Sequence, residues 1–526
     1  MPFKRPSTLF LMAGIVVLIA AIPVFFVIYS SLTLPLERWA SLWSTRLPGL
    51  LWNTLSLAVL VALLSLVLGV SSAWLIARRA FPGRTLATWL MILPLAIPSY
   101  VFAYIYTALL DDDGWLGGLW QSIFGQESLP PDPYNLWGAG AVLGLAGYSY
   151  VFLLTRAALS RTSRSLEEAA RIQGIGPWRT FWSINLPLLR PAIAAALAVV
   201  VLHTLADFGA VSMLRYQTFT LSIYLQMTGR FDYQAAAALA LVLVLLSLGF
   251  LVLERFFRQR QRFYASSQTR IVVPKRATRG ETLLIWGWLG LIALFAFILP
   301  AAWMLGWSWE SWKDDHLDRV FWGYVGNSLQ LAFLGACLAV VAALPVALYH
   351  KRRQSLMSAG MVQLSSVGFV LPGPVIALGI ITFMLAVVEP LYGGLAALVL
   401  ALVICFLPLA IQSQDAALQQ LTPSIEQAGR VLGAGPLENL WRVTLPMIRG
   451  GLASAWVLVF IDILKELPAT LILRPTGFDT LPVRIWLESS EEMLELAAPA
   501  ALMLVLATLP ALWIMMRGEK RAEQAG

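Results

Sequence analysis

Charge is scarce in this 526-residue sequence: 13% of residues are Asp, Glu, Lys or Arg, against 59% that are hydrophobic. The mean hydropathy of +0.75 follows from that balance. So little charge leaves more apolar surface than a water-soluble fold can hide, which excludes the soluble classes and places the chain in lipid. Histidine is rarer still: His203, His316 and His350 are scattered, without the spacing of metal ligands or of a nucleophile with its base, which argues against a membrane-embedded enzyme. The two cysteines, Cys337 and Cys405, each sit inside an apolar run and read as small buried hydrophobes rather than a disulfide or metal site. No Gly-x-x-x-x-Gly-Lys-Ser/Thr phosphate loop occurs anywhere. The net charge of +8 could suggest nucleic acid as a partner, but the basic residues lie in short loops between apolar runs, where membrane topology accounts for them.

What the sequence has in abundance is long apolar runs. Stretches of membrane-crossing length fall near 9–30, 54–77, 88–110, 136–158, 191–213, 235–253, 283–307, 327–349, 360–388, 391–411, 450–464 and 497–516. The run starting at 450 is short unless it continues through Asp462 to Leu473. The first run, preceded by Lys4 and Arg5, is about twice as long as a signal-peptide core and reads as a retained span. Residues 254–282 are polar and basic and read as a linker, dividing the chain into a first repeat, 1–253, and a second, 283–526. The expected fold is all-α: a polytopic transmembrane helical bundle of about twelve spans in two tandem six-span repeats. With a cytoplasmic N-terminus, the inner loops and tails hold most of the 37 Lys and Arg and the remainder of the chain most of the 29 Asp and Glu. That bias puts both termini in the cytoplasm. The tryptophans near span ends, such as Trp39, Trp43, Trp307, Trp309 and Trp312, read as an interfacial belt.

The duplication is visible in the residues. Asn53-Thr54-Leu55-Ser56-Leu57-Ala58 matches Asn327-Ser328-Leu329-Gln330-Leu331-Ala332, and Pro98 falls on Pro372. More telling, 167–187 and 426–446 repeat one polar phrase between spans. Glu167 and Glu168 stand where acids favour a helix start, and Glu167 with Arg171, like Glu426 with Arg430, has i,i+4 spacing. Gly174, Gly176 and Pro177, matched by Gly433, Gly435 and Pro436, end that helix and turn the chain. Each copy closes on Leu-Pro, at Pro187 and Pro446, so the expectation is a stiff knob on a fixed bend. An amphipathic helix lying on the membrane would need none of these shared identities.

These residues resemble the EAA loop of binding-protein-dependent ABC importer permeases. Glu168, Ala169, Ala170, Gly174, Ile184 and Pro187 match its pattern. The second copy has Gln427-Ala428-Gly429 in place of Glu-Ala-Ala, keeps Gly433 and Pro446, carries Val443 for Ile, and has its acid one position earlier at Glu426. The resemblance implies that both loops are coupling helices seated in a cytoplasmic ABC ATPase dimer. Closure of that dimer on ATP and Mg would then switch the spans between inward-open and outward-open states. It further implies that the chain binds no cofactor, is not itself an enzyme, works with an extracytoplasmic substrate-binding protein, and resides in the bacterial inner membrane. The segment Lys465-Glu466-Leu467-Pro468-Ala469-Thr470-Leu471, continuing to Arg474-Pro475, is similar to one in the ferric-iron subfamily, which also fuses two halves. Thiamine, phosphonate and polyamine permeases share the scaffold and stay open as alternatives.

Polar groups inside apolar runs are costly, so their positions matter. His203 aligns with Asp462, and Asp207 with Glu466, on the fifth span of each half; each pair has i,i+4 spacing and shares a helix face. Two readings stand: a polar stripe along a translocation pathway, or span ends where headgroups satisfy the side chains. No set of metal ligands is evident. An ion-coupled secondary transporter would also show repeats, but it needs intramembrane carboxylates that several of these spans lack.

Overall fold

The computed structural model describes residues 8–125, 128–161, 170, 172–259, 274–366, 368, 371–419, 421–433 and 435–525. Among them, ten helices are long and apolar enough to cross a bilayer: Thr8–Leu32, Leu47–Arg78, Leu136–Leu159, Phe181–Ala206, Tyr233–Leu253, Arg279–Lys313, Arg319–Arg352, Leu395–Gln419, Leu437–Lys465 and Leu494–Ile514. Arg84–Ala96 and Ser99–Leu110 together make a third span bent by 96°, and the shorter apolar helix Gly373–Val387 takes the equivalent ninth place. The protein is a multi-pass helical bundle, with spans numbered here first to twelfth in chain order.

Four spans differ from their hydropathy outlines, each for a local reason. The third breaks between Ala96 and Ser99 because Pro98 has no N–H to donate and its ring disfavours helix at the residue before it. The ninth breaks before Gly373 at the equivalent Pro372. The fifth stops at Ala206 rather than 213, since Asp207 captures the amides of Ala210 and Val211 and starts a new short helix, Gly209–Met213. The eleventh gains its length backward, to Leu437, and ends at Lys465. Each fifth-type span is thus followed by two short helices: Gly209–Met213 with Phe219–Thr228, and Pro468–Leu473 with Leu481–Ser490.

The duplicated Asn-Thr/Ser pair has a defined task at these short helices. Asn53 Nδ2 donates to Gln217 O and Asn327 Nδ2 to Asp479 O, both at 3.0 Å. The neighbouring hydroxyls receive the next helix's first amide, Phe219 N to Thr54 Oγ1 at 3.3 Å and Leu481 N to Ser328 Oγ at 2.7 Å. Thr54 and Ser328 are buried, so these bonds satisfy groups that water does not reach.

Within the first half, the second and fourth spans pack closely because glycine faces the contact; a Cβ on Gly69 would fall 2.6 Å from Val151 Cβ. Between halves, the first spans are exchanged. The first packs on the eighth and ninth as well as the sixth, with the Phe10 and Tyr349 rings 5.5 Å apart and Pro23 against Gly379. The seventh reaches back likewise: Trp288 Nε1 donates to Ser71 Oγ at 3.0 Å and Tyr106 Oη to Phe295 O. The chain between halves is fastened on the way. Arg79–Ala80 pairs in parallel with Lys275–Arg276, Glu281 sits 3.3 Å from Arg79, and Trp286 Nε1 donates to Pro82 O at 3.0 Å. Helix runs on to Gln259 and resumes at Arg279, inside the stretch that composition marks as linker.

Candidate functional site

Two features stand out, a pair of repeated loops and a cavity. Glu167, Glu168, Ala169 and Arg171 lie outside the described residues; Ala170, Gly174, Ile184 and Pro187 lie within them. The first loop helix ends with Ile175 N donating 2.9 Å back to Ala170 O across Gly174, whose φ is +77°. That is a left-handed helix stop, and Gly433 repeats it with φ +89°. Glycine adopts this left-handed φ at the least cost and stands at both positions. Glu426 and Ala428 sit on the second loop's helix, Pro423–Val431.

From Pro177 and Pro436 the chain is helical again, through Pro177–Thr180 and Pro436–Asn439, into one turn of wider π-helix at Phe181–Asn185 and Leu440–Thr444, and then into the fifth and eleventh spans. Both π turns directly precede Leu-Pro. The widened turn absorbs the missing donor and the ring of Pro187 and Pro446 without breaking the helix. Ile184 and Val443 lie in these turns, half-buried. Each loop is therefore joined to its span by continuous helix. The second loop's helix packs on its own return, where a Cβ on buried Gly429 would lie 2.6 Å from Asn439 Oδ1. The tips are apolar and exposed, Ile172 by 88%, Val431 by 86% and Leu432 by 87%.

The cavity, about 340 Å³, lies between the halves, and its lining includes His203, Asp207, Asp462 and Glu466 together with Lys465, Tyr150 and Cys405. The four polar residues singled out by alignment thus share one space at the level where the third and ninth spans break. Their roles divide. Asp207 Oδ1 accepts the Ala210 amide at 2.9 Å and its Oδ2 accepts Ser99 Oγ; Glu466 Oε1 accepts Ala469 N at 2.7 Å, and its Oε2 accepts Thr470 N at 3.0 Å and Thr470 Oγ1 at 2.8 Å. Both carboxylates are engaged with the short helices after them. His203 and Asp462, one turn earlier, face the cavity from opposite halves, with the Tyr150 ring 5.0 Å from the imidazole. Among the described residues, no group of three or more His, Cys, Asp or Glu is placed to hold a metal ion.

Several residues of this site escape sequence reasoning. Ser99 and Tyr150 are neutral residues in apolar runs and give no signal. Lys465 does stand out as a cation at a span end, but its partner is a backbone oxygen: Nζ donates 2.6 Å to Leu95 O in the other half, exposed by the break in the third span. Tyr100 Oη returns a bond to Lys465 O at 3.4 Å. Beside the cavity the short helices of the two halves meet, Trp486 Nε1 donating to Ser212 Oγ at 3.2 Å, with the Tyr224 ring 6.1 Å from that of Trp486.

A two-fold repeated bundle with a polar cavity between its halves, and the same glycine-stopped loop leading into the fifth span of each half, defines a membrane transport permease. The chain belongs to the family of binding-protein-dependent transport system inner membrane components, which it matches twice, over residues 65–263 and 335–524. It is 32% identical over 514 residues to the Fe(3+)-transport system permease protein FbpB 2 of Haemophilus influenzae, covering 96% of this chain and 97% of that one. A second protein of that organism, putative ferric transport system permease protein FbpB 1, is 25% identical over 91% of this chain and 80% of its own length. The molybdenum transport system permease protein ModB of Haemophilus influenzae is 32% identical over 40% of this chain and 92% of its own, so it corresponds to a single half.

Proposed function

We propose that this chain is the membrane-spanning subunit of a bacterial ATP-driven importer for ferric iron, fed by an extracytoplasmic binding protein. The observation that carries the substrate is the end-to-end likeness, over 96% of this chain and 97% of the relative, to a permease named for Fe(3+). The drive comes from a separate cytoplasmic ATPase dimer. Supporting that reading are the two repeated loops, their exposed apolar tips at Ile172 and Val431, and the helical continuity of their returns with the fifth and eleventh spans. Glu167, Glu168, Ala169, Ala170, Gly174, Ile184 and Pro187, with Glu426, Ala428, Gly433, Val443 and Pro446, form the coupling surface and its support. The basic bias of the loop face supports placing it in the cytoplasm, with the chain in the inner membrane.

In the working cycle, ATP-driven closure of the motor brings the two loops together. The loops, continuous with their spans, tilt the fifth and eleventh spans, and the cavity lined by His203, Asp207, Asp462 and Glu466 changes the side to which it opens. The cargo is taken from the binding protein, which holds most of the selectivity. The deciding experiment reconstitutes the chain with its ATPase and binding protein and measures ATP hydrolysis. A ferric-loaded binding protein stimulates it; stimulation by thiamine alone overturns the substrate. Replacing Glu168→Ala or Gly174→Pro leaves the chain inserted but separates hydrolysis from uptake, and normal uptake in both variants refutes the coupling role.

A further inference from the structure

The ferric-type segment from Lys465 to Arg474 has a structural account for most of its polar groups. Glu466 receives the amides of the next helix, Thr470 donates to it, and Arg474 pairs with Asp479. Lys465 remains. Its ammonium projects into the cavity wall and is tied at 2.6 Å to the Leu95 carbonyl of the other half. The aligned position in the first half is Ala206, so the cavity carries one such cation and not two. Of the three cavity carboxylates, Asp207 and Glu466 are occupied by helix amides and hydroxyls. Asp462, three residues before Lys465 on the same helix, lines the cavity together with Lys465 and His203.

We propose that Lys465 is a tethered counter-cation: it compensates Asp462 whenever the cavity holds no cargo, and so sets which cations can use that carboxylate. The inference rests on the permease reading above. One ammonium confined to a space of this size corresponds to an effective concentration on the order of 5 M, far above the ~0.1 M of a free monovalent salt. Sodium or potassium therefore does not displace it. A trivalent cargo does, because its attraction to the carboxylate is about three times that of the ammonium at equal distance. The 2.6 Å bond to the Leu95 carbonyl holds the ammonium with and without cargo. The lysine thus acts as an internal competitor that seals the cavity against small cations and yields to a highly charged one.

Sodium leak into proteoliposomes holding the complete permease–ATPase complex, followed with an internal sodium dye and no iron present, is the test. Lys465→Met is expected to raise the leak at least ten-fold, and Lys465→Arg to keep it at the parent level. Adding Asp462→Asn to Lys465→Met returns it to the parent level, because the uncompensated carboxylate is gone. An unchanged leak in Lys465→Met overturns the proposal, and so does a double variant as leaky as the single one. Should Lys465→Met fail to insert, Asp462→Asn alone decides: it is expected to raise the apparent KM of ferric uptake at least five-fold, and an unchanged KM overturns the proposal. Since the leak is read with sodium only, its outcome stands apart from whether the cargo is ferric iron.

Discussion

Gly429 stands where the first loop has Ala170, and one atom explains the exchange. A Cβ there would meet Asn439 Oδ1 at 2.6 Å, and the residue of the first copy that aligns with Asn439 is the smaller Thr180. Gly429→Ala is expected to overpack the second loop at a cost of about 1–3 kcal/mol. Adding Asn439→Thr should recover most of it, and a double-mutant cycle on thermal unfolding in detergent reads the coupling; simple additivity refutes the pairing. The sequence displays this departure from the EAA pattern but not its compensation, because residues ten apart touch only once Gly433 has turned the chain. Asp207 is similarly half-legible. Its polarity inside an apolar run marks it, yet its bonds to Ala210 and Ser99 make it first a helix cap. Asp207→Asn keeps an acceptor oxygen and should hold stability, while Asp207→Ala should lose about 0.5–2 kcal/mol. Equal unfolding midpoints for the two variants contradict that role.

At the level of elements, the joint between each loop and its span is a π turn directly before Leu-Pro. Removing one residue from the first, Ser183, converts it to an α turn and rotates the loop by about 100° relative to the fifth span. The chain should still insert, and ATP hydrolysis should persist without rising when loaded binding protein is added; retained stimulation excludes the joint as the transmitting part. The Leu-Pro pairs are plain in the sequence, and so is a second short segment ahead of them. That the segment fuses with the span is not, since a proline is read as a stop unless the turn before it widens. The repeated Asn-Thr and Asn-Ser pairs were visible as repetition without a reason. The reason is that Thr54 and Ser328 receive the amides of Phe219 and Leu481, and losing either buried acceptor should cost about 1–3 kcal/mol.

Across the whole molecule, the exchanged first spans and the Arg79–Lys275 strand pair bind the halves through more than their covalent link. A chain divided between Thr269 and Arg270 and produced as two pieces should therefore assemble, and a tag on one piece should recover the other from detergent extracts. Separate recovery would show that the exchange does not hold the halves. Hydropathy counts spans and orders them, but it carries no term for which half a span leans on.

Composition and periodicity were enough to place this chain in lipid, to count its crossings, to pair its halves and to mark both loops, because each rests on local pattern repeated along the chain. Where the third and ninth spans break, which carboxylates are taken by helix amides, and how Lys465 of one half finds the Leu95 carbonyl of the other were decided by the tertiary structure. Those bonds join residues far apart in sequence, and in a bilayer an unsatisfied backbone group has no water to turn to, so the fold must bring its partner from elsewhere.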